Sequence, residues 1–299
     1  MNRIRKLFVQ WADLFKRFYL IGKCKYLFGA IAERHPYTWF VIRRLLHRLI
    51  IFLPHDESYY GFEHLSSDGE EGLFVDIGAN DGISALSFRR FNKTYKILSL
   101  EPNPIHERKL KNVKTRISNF DYLMVGAGLS DEEVDLFVPM YQGIALHPAA
   151  CMDYKLLQET MKRMYPAFIS TKLKYVKQMV KVVRVDSLNL HPTLVKIDAE
   201  GFDYNVLLGM QATIDRARPC ILLELYWDAV ELIERFCQER SYALFSYSYK
   251  LDKFIPFNQR HLRNATGGRN AFCIPMEKIS ALPLIAEDEA EAEAIQELA

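Results

Sequence analysis

LFVDIGANDG, residues 73–82, decides how this chain is read. Leu73, Phe74 and Val75 form a short apolar run, Asp76 interrupts it and Ile77 restores it, as in a buried strand. Gly78 and Gly82 supply the backbone freedom of a tight turn. Asn80 and Asp81 suit the cap of a helix starting at Ile83. Strand, glycine turn and helix start is the arrangement by which α/β proteins hold nucleotide-like ligands. A plain strand-to-helix turn with no ligand reads the same way at this stage.

The turn also discriminates between ligands. A dinucleotide fingerprint needs G-x-G-x-x-G, and Gly78-Ala79-Asn80-Asp81-Gly82 does not supply it. Asp76, Asp81 and, one strand–helix–strand unit later, Glu101 would repel a pyrophosphate. S-adenosylmethionine carries no phosphate and has a cationic end. Acid near the turn complements that end, and free N–H groups of the turn and helix start would take its carboxylate. An acid closing the second strand can accept both ribose hydroxyls.

Outward from this stretch, strands and helices alternate. Strands are expected at 73–77, 96–100, 122–125, 194–197, 220–225, 242–247 and 271–274, with helices at 83–91, 105–113, 203–214 and 229–239. Such alternation means a mostly parallel, doubly wound sheet. Residues 139–179 break the rhythm as an insertion, expected to be helical up to about Lys177, after a short strand at 134–138. Val180–Val185 is a further strand candidate.

The ends differ from the middle. Residues 1–50 hold eleven Lys/Arg against two acids, Asp13 and Glu33, whereas 287–299 hold six acids and no base. The body between is near neutral, which gives no footprint for extended nucleic-acid binding. From Ile4 to Phe18 the apolar residues recur with helical spacing. Residues 37–53 are apolar but broken by Arg43, Arg44, His47 and Arg48, too interrupted to span a bilayer. A helical cap on the body and an interfacial helix on an anionic membrane both remain open for residues 1–53. Asp13, Lys16 and Arg17 break any signal-peptide core, so a cytoplasmic chain, with membrane contact at most peripheral, is expected. The five cysteines include no C-x-x-C pair and read as reduced core residues. No His/Cys cluster suggests zinc, and no metal site is assigned. The division expected is an arm at 1–60, a main domain at 61–286 and an acidic tail at 287–299.

Ligands of an open parallel sheet bind at the carboxyl ends of its strands. There the sequence puts Asp76, Glu101 and Asn103, Gly126 to Gly128, Asp198, Glu200 and Asp203, and Glu224. Acids at several successive strand exits are more than helix caps require. With FVDIGANDG at 74–82, LEPNP at 100–104, VVRVDSL at 182–188, VKIDAEGFDYNVLLG at 195–209, RPCILLE at 218–224 and Asn270-Ala271-Phe272, the chain resembles the FkbM family of S-adenosylmethionine-dependent methyltransferases over about residues 70–275. One departure is Gly128-Leu129-Ser130, where the family tends to read Ala-Leu-Ser.

The resemblance implies a Rossmann-like class I methyltransferase fold with a seven-stranded sheet. It implies that Asp76, Gly78, Ala79, Asn80, Asp81 and Gly82 hold the methionine moiety. Glu101 would take the ribose, with Asn103 nearby, and Gly126 and Ala127 would lie beside the adenine. Asp198 and Glu200 would face the transferring methyl group. An alcohol acceptor must lose a proton, and Asp198 is the first candidate base, although it could equally cap a helix or pair with Lys196. Glu200 could instead anchor its loop beside Gly201. His147 is a further candidate in the insertion, where acceptor choice is expected. The expected activity is O-methylation of a sugar hydroxyl on a glycan or of a small metabolite. A membrane-surface protein with an inactive methyltransferase domain and a metal-dependent hydrolase using 198–203 are the competing readings.

Overall fold

The computed structural model describes residues 54–146, 150–225, 229–258 and 269–285. Expectations for the arm up to residue 53, His147 and the acidic tail fall outside the described residues. Residues 137–176 group apart from the body, which comprises the described residues up to Leu136 and from Lys177 onward.

The body begins with helical turns at Glu57–Gly61 and Phe62–Leu65, followed by β1 (Leu73–Ile77), α1 (Ile83–Phe91), β2 (Lys96–Leu100), α2 (Glu107–Arg116) and β3 (Phe120–Leu123). Next come the short β4 (Gly126–Ala127), β5 (Glu132–Tyr141), β6 (Ile144–Ala145), α3 (Tyr154–Met164) and β7 (Lys174–Val183). The chain continues through β8 (Leu194–Ile197), α4 (Asp203–Gly209), α5 (Gln211–Ala217), β9 (Cys220–Leu225), α6 (Val230–Glu239), β10 (Tyr242–Ser248), β11 (Lys253–Pro256) and β12 (Arg269–Pro275).

The main sheet runs β11-β10-β12-β9-β8-β1-β2-β3. β3, β2, β1, β8 and β9 are parallel, whereas β12 is antiparallel to β9 and to β10. All seven expected strands are present, and β11 adds an eighth at one edge, antiparallel to β10. Strand order reverses between β1 and β8, which makes their carboxyl ends the natural crevice.

Each face of the sheet has its own core. Val75, Ile77, Val195 and Ile197 pack on Val206, Leu207 and Ile214 of α4 and α5 and on Ile233 of α6. Phe74, Ile97, Leu194 and Leu222 pack on Ile83 and Phe88 of α1, Leu110 of α2, and Phe62. Phe62 is fully buried and meets Phe74, Phe88 and Phe272 edge to face, with centroids 5.4–5.5 Å apart. Such pairs add to the roughly 1.5–3 kcal/mol that burying one such ring contributes. Residues 54–60 also pack on the body: Tyr59 is buried, and the His55 ring bonds Ser87 at 2.7 Å.

Two expectations are corrected. The helix expected over 203–214 is two helices, broken at Met210. Asp186, in the helical turn Val185–Leu188, accepts from the N–H groups of Ala212 (3.2 Å) and Thr213 (2.7 Å) and so caps a new helix there. Partial burial would raise that carboxyl, but these bonds hold it below the usual range. In the 137–176 unit, α3 is capped by Asp153, and Tyr154 packs between the Phe137 and Tyr175 rings. Helix does not persist to Lys177: Pro166 follows α3, a single helical turn occupies Ala167–Ser170, and β7 starts at Lys174.

Candidate active site at the carboxyl edge of the sheet

Register builds the centre of the site. Asp76 on β1 lies opposite Ser99 on β2 and opposite Lys196 on β8. Residues in register share a face, here the α1 face. Asp76 has no exposure at all. Its Oδ2 accepts from Ser99 Oγ (2.9 Å) and from Ser84 Oγ (2.7 Å), the latter in the first turn of α1. Its Oδ1 has no hydrogen-bond partner and lies 3.7 Å from Lys196 Nζ.

Lys196 ties two strand ends together. Its Nζ donates to the carbonyls of Gly78 (2.9 Å) and Ile77 (3.3 Å) and pairs with Asp198 Oδ2 at 3.1 Å. Burial acts to lower the ammonium pKa, but Asp198 and then Asp76 outweigh it, and the net shift is upward. Of the two readings left open for Asp198, the pairing with Lys196 is the one present. The Asp198 carboxylate nonetheless keeps 43% of its surface.

The glycine turn is committed to the fold more than expected. Gly78 and Ala79 donate their N–H groups to Leu100 O (3.0 and 3.1 Å), Gly82 donates to Ala79 O, and Asn80 donates to Glu101 Oε2 at 2.7 Å. These four groups are therefore not free for a ligand carboxylate. Gly78, at φ +74°, is held against the Asp198 carbonyl, where a Cβ would come to 1.9 Å. Asp81 is buried, with Lys109 Nζ at 3.7 Å.

Glu101 joins two loops, since its other oxygen accepts from Asn103 N at 2.8 Å. Burial raises its pKa to about 7, against the lowering effect of the two N–H bonds. Asn103 is buried, and its Nδ2 lacks a partner. Gly126 and Ala127 are buried in β4, beside Val182 and Val183 of β7. A Cβ on Gly126 would come to 3.2 Å from Val182 and 3.4 Å from Pro102, so this glycine abuts the Glu101–Asn103 loop.

Past β8, Glu200 takes a left-handed backbone (φ +50°) and is exposed. The protein packed around it and then Asp198, Glu224 and Asp203 push its carboxyl well above the usual range. Burial and Asp198 likewise raise Asp203 to about 7, although Ala199 N donates to its Oδ1 at 3.4 Å. Asp203 Oδ2 has no partner. Among the described residues no three His, Cys, Asp or Glu side chains converge as metal ligands, and no helix is long and apolar enough to cross a membrane.

The sequence reading passed over Ser84, Ser99, Lys196 as a site member, and Tyr59. A lysine within the buried LVKI strand was the one visible signal. Tyr59 reaches this face from the leading helical turn. Its hydroxyl is buried and makes no hydrogen bond of full geometry, although Ser84 lies near. Burial and then the charges of Asp76, Asp56 and Asp198 hold it well above the ordinary phenol.

Residues 76–251 match the family described as the Methyltransferase FkbM domain. Among solved structures, the chain is similar to a methyltransferase FkbM from Methylobacillus flagellatus KT, at 17% identity and a TM-score of 0.44, over 68% of this chain and 43% of that one. It is also similar to a precorrin-6y C5,15-methyltransferase from Geobacter metallireducens GS-15, at 11% identity and 0.38, over 73% and 87% of the two chains. An rRNA methylase from Streptococcus thermophilus is similar at 10% identity and 0.38, over 73% and 93%. The chain thus spans less than half the length of the first of these structures. No curated protein matches it.

Proposed function

The chain belongs to the FkbM methyltransferase family, and from that premise we propose that it moves a methyl group from S-adenosylmethionine to a hydroxyl oxygen, on a glycan sugar or a small metabolite. One observation carries the reading. The switch point between β1 and β8 gathers Asp76, Lys196 and Asp198, and four buried polar atoms near that edge make no hydrogen bond: Asp76 Oδ1, which has only the Lys196 charge at 3.7 Å, Asn80 Oδ1, Asn103 Nδ2 and Asp203 Oδ2. Buried polar atoms are normally paired, so a cluster without partners is what a polar ligand would complete.

The donor set fits this cofactor. Three of the four orphaned atoms are oxygens, suited to an ammonium and to ribose hydroxyls, and one is an amide donor. Asp76, Asn80 and Asp81 would take the methionine end, with Gly78, Ala79 and Gly82 shaping the turn. Glu101 and Asn103 would take the ribose. Gly126 and Ala127 would lie beside the adenine. When bound, the cofactor supplies a methyl group on a positively charged sulfur.

Methyl transfer is an in-line displacement, so the residues act chiefly by positioning. Asp198 is the proposed base, taking the acceptor's hydroxyl proton while Lys196 holds its Oδ2. Glu200 stands next to it at the mouth. Calorimetric titration with S-adenosylmethionine and with its demethylated product tests the core of this reading. The wild type should bind both, and Asp76→Asn should weaken both. Asp198→Asn should keep cofactor affinity and lower turnover by about 10²–10⁴-fold. A wild type that binds neither compound ends the proposal.

A further inference from the structure

A second concavity lies at the other edge of the sheet. α1 and α2 run back from the carboxyl edge, so their last residues reach the amino-terminal edge. There they border an open concavity of about 620 Å³. Leu86, Phe91 and Ile117 give it an apolar surface. Arg89, Arg90, Lys93 and Arg116 also line it, against the single carboxylate of Glu63.

Cations belong at helix C-termini, so part of this charge completes α1 and α2. Arg89 is buried at 7% exposure, and its NH1 and NH2 bond the carbonyls of Asn92, Tyr95 and Ser118. Lys93 Nζ bonds Arg89 O at 2.6 Å, and Asp68 accepts from Lys93 N. One donor of this set is unspent. Arg89 Nε is buried with no partner. Burial lowers the Lys93 ammonium, and Arg89 and Arg90 lower it further against Asp68. Four cations against Glu63 in the lining, with Asp68 acting on Arg89 and Lys93, leave this concave, partly apolar space net positive, which favours an anion.

We propose that this cavity binds an organic anion, a phosphate or carboxylate joined to an apolar group, with Arg89, Arg90 and Arg116 meeting the anion and Leu86, Phe91 and Ile117 the apolar part. A soluble metabolite and a lipid headgroup share this chemistry. The site is independent of the cofactor edge and of the methyltransferase reading.

The test uses the full chain and two probes. Phenyl phosphate is titrated by calorimetry, with inorganic phosphate for comparison. Flotation is measured with phosphatidylcholine vesicles containing phosphatidic acid. Arg116 is exposed, so Arg116→Gln should fold, and thermal melting checks this for it and for Arg90→Gln. Either substitution should weaken binding about tenfold or more, with S-adenosylmethionine titration unchanged. Phenyl phosphate binding that the substitutions weaken identifies a soluble anion, and flotation that they weaken identifies a lipid headgroup. No saturable binding of either probe, or binding and flotation that both substitutions leave untouched, overturns the proposal.

Discussion

Three glycines of the body separate two costs that usually arrive together. Gly78 has φ +74°, and a Cβ on it would stand 1.9 Å from the Asp198 carbonyl oxygen. Gly201 has φ +91°, with nothing within 4 Å of its Cβ position. Gly209 has no such dihedral, but its Cβ would stand 1.8 Å from the Gly128 carbonyl. Gly201→Ala therefore carries dihedral strain alone, about 1–2 kcal/mol. Gly209→Ala carries overlap with backbone alone. The clash is more than 1 Å inside ordinary contact, and the neighbour is not a flexible side chain, so about 3 kcal/mol follows, the upper end for overpacking. Gly78→Ala carries both, about 4–5 kcal/mol, less a few tenths for the stiffer unfolded chain. Urea unfolding of the three variants, followed by circular dichroism with a common slope, gives the order Gly201, Gly209, Gly78. If Gly78→Ala costs no more than Gly201→Ala, then β1 and β8 are not packed as described and the crevice is not where it has been placed.

Lys196→Met removes the cation beside the fully buried Asp76 and should destabilise the fold by about 3 kcal/mol, measured by the same unfolding. Adding Asp76→Asn should recover part of that loss, and simple additivity of the two changes would show that the pair is not coupled. Glu101 sits at about 7 against an ordinary 4.5, so the folded chain holds its proton more tightly than the unfolded chain does. Its contribution, at most about 3 kcal/mol, is full below pH 4.5 and is lost as pH rises through about 7. Stability measured against pH should therefore be flatter across that window in Glu101→Gln than in the wild type, and identical slopes would contradict the buried, raised carboxyl.

The parallel core was legible because its strands are short, apolar and separated by helices of clear period. Strand β1 and helix α1 fall where the residues put them, since Phe74 to Ile77 are buried and Gly82 ends the turn. The eighth strand was not legible: Lys253–Pro256 is short, ends in proline and pairs only at an edge. Nor was the break at Met210, because its cap, Asp186, comes from far upstream and no local pattern encodes it. The site divides in the same way. Acids at strand exits stand out one at a time, so Asp76, Glu101 and Asp198 were visible. What surrounds them follows from register between strands distant in sequence. That is why Ser99 and the approach of Lys196 to Asp76, both set across the sheet, are not legible locally, and why the turn's N–H groups, expected to be free, are spent within the fold.

Phe62 has a practical consequence. The family signature runs from residue 76 to residue 251, whereas the aromatic plug that Phe62 makes with Phe74, Phe88 and Phe272 draws on residues outside both limits. β12, which contains Phe272, is an interior strand paired on both sides. The segment that matches the family and the segment that closes this core are therefore different objects. A fragment cut at the signature's limits would have a gap through its sheet and an open socket on one face. Excision, fusion or domain-swapping of this domain has to carry at least residues 54–285 in one piece.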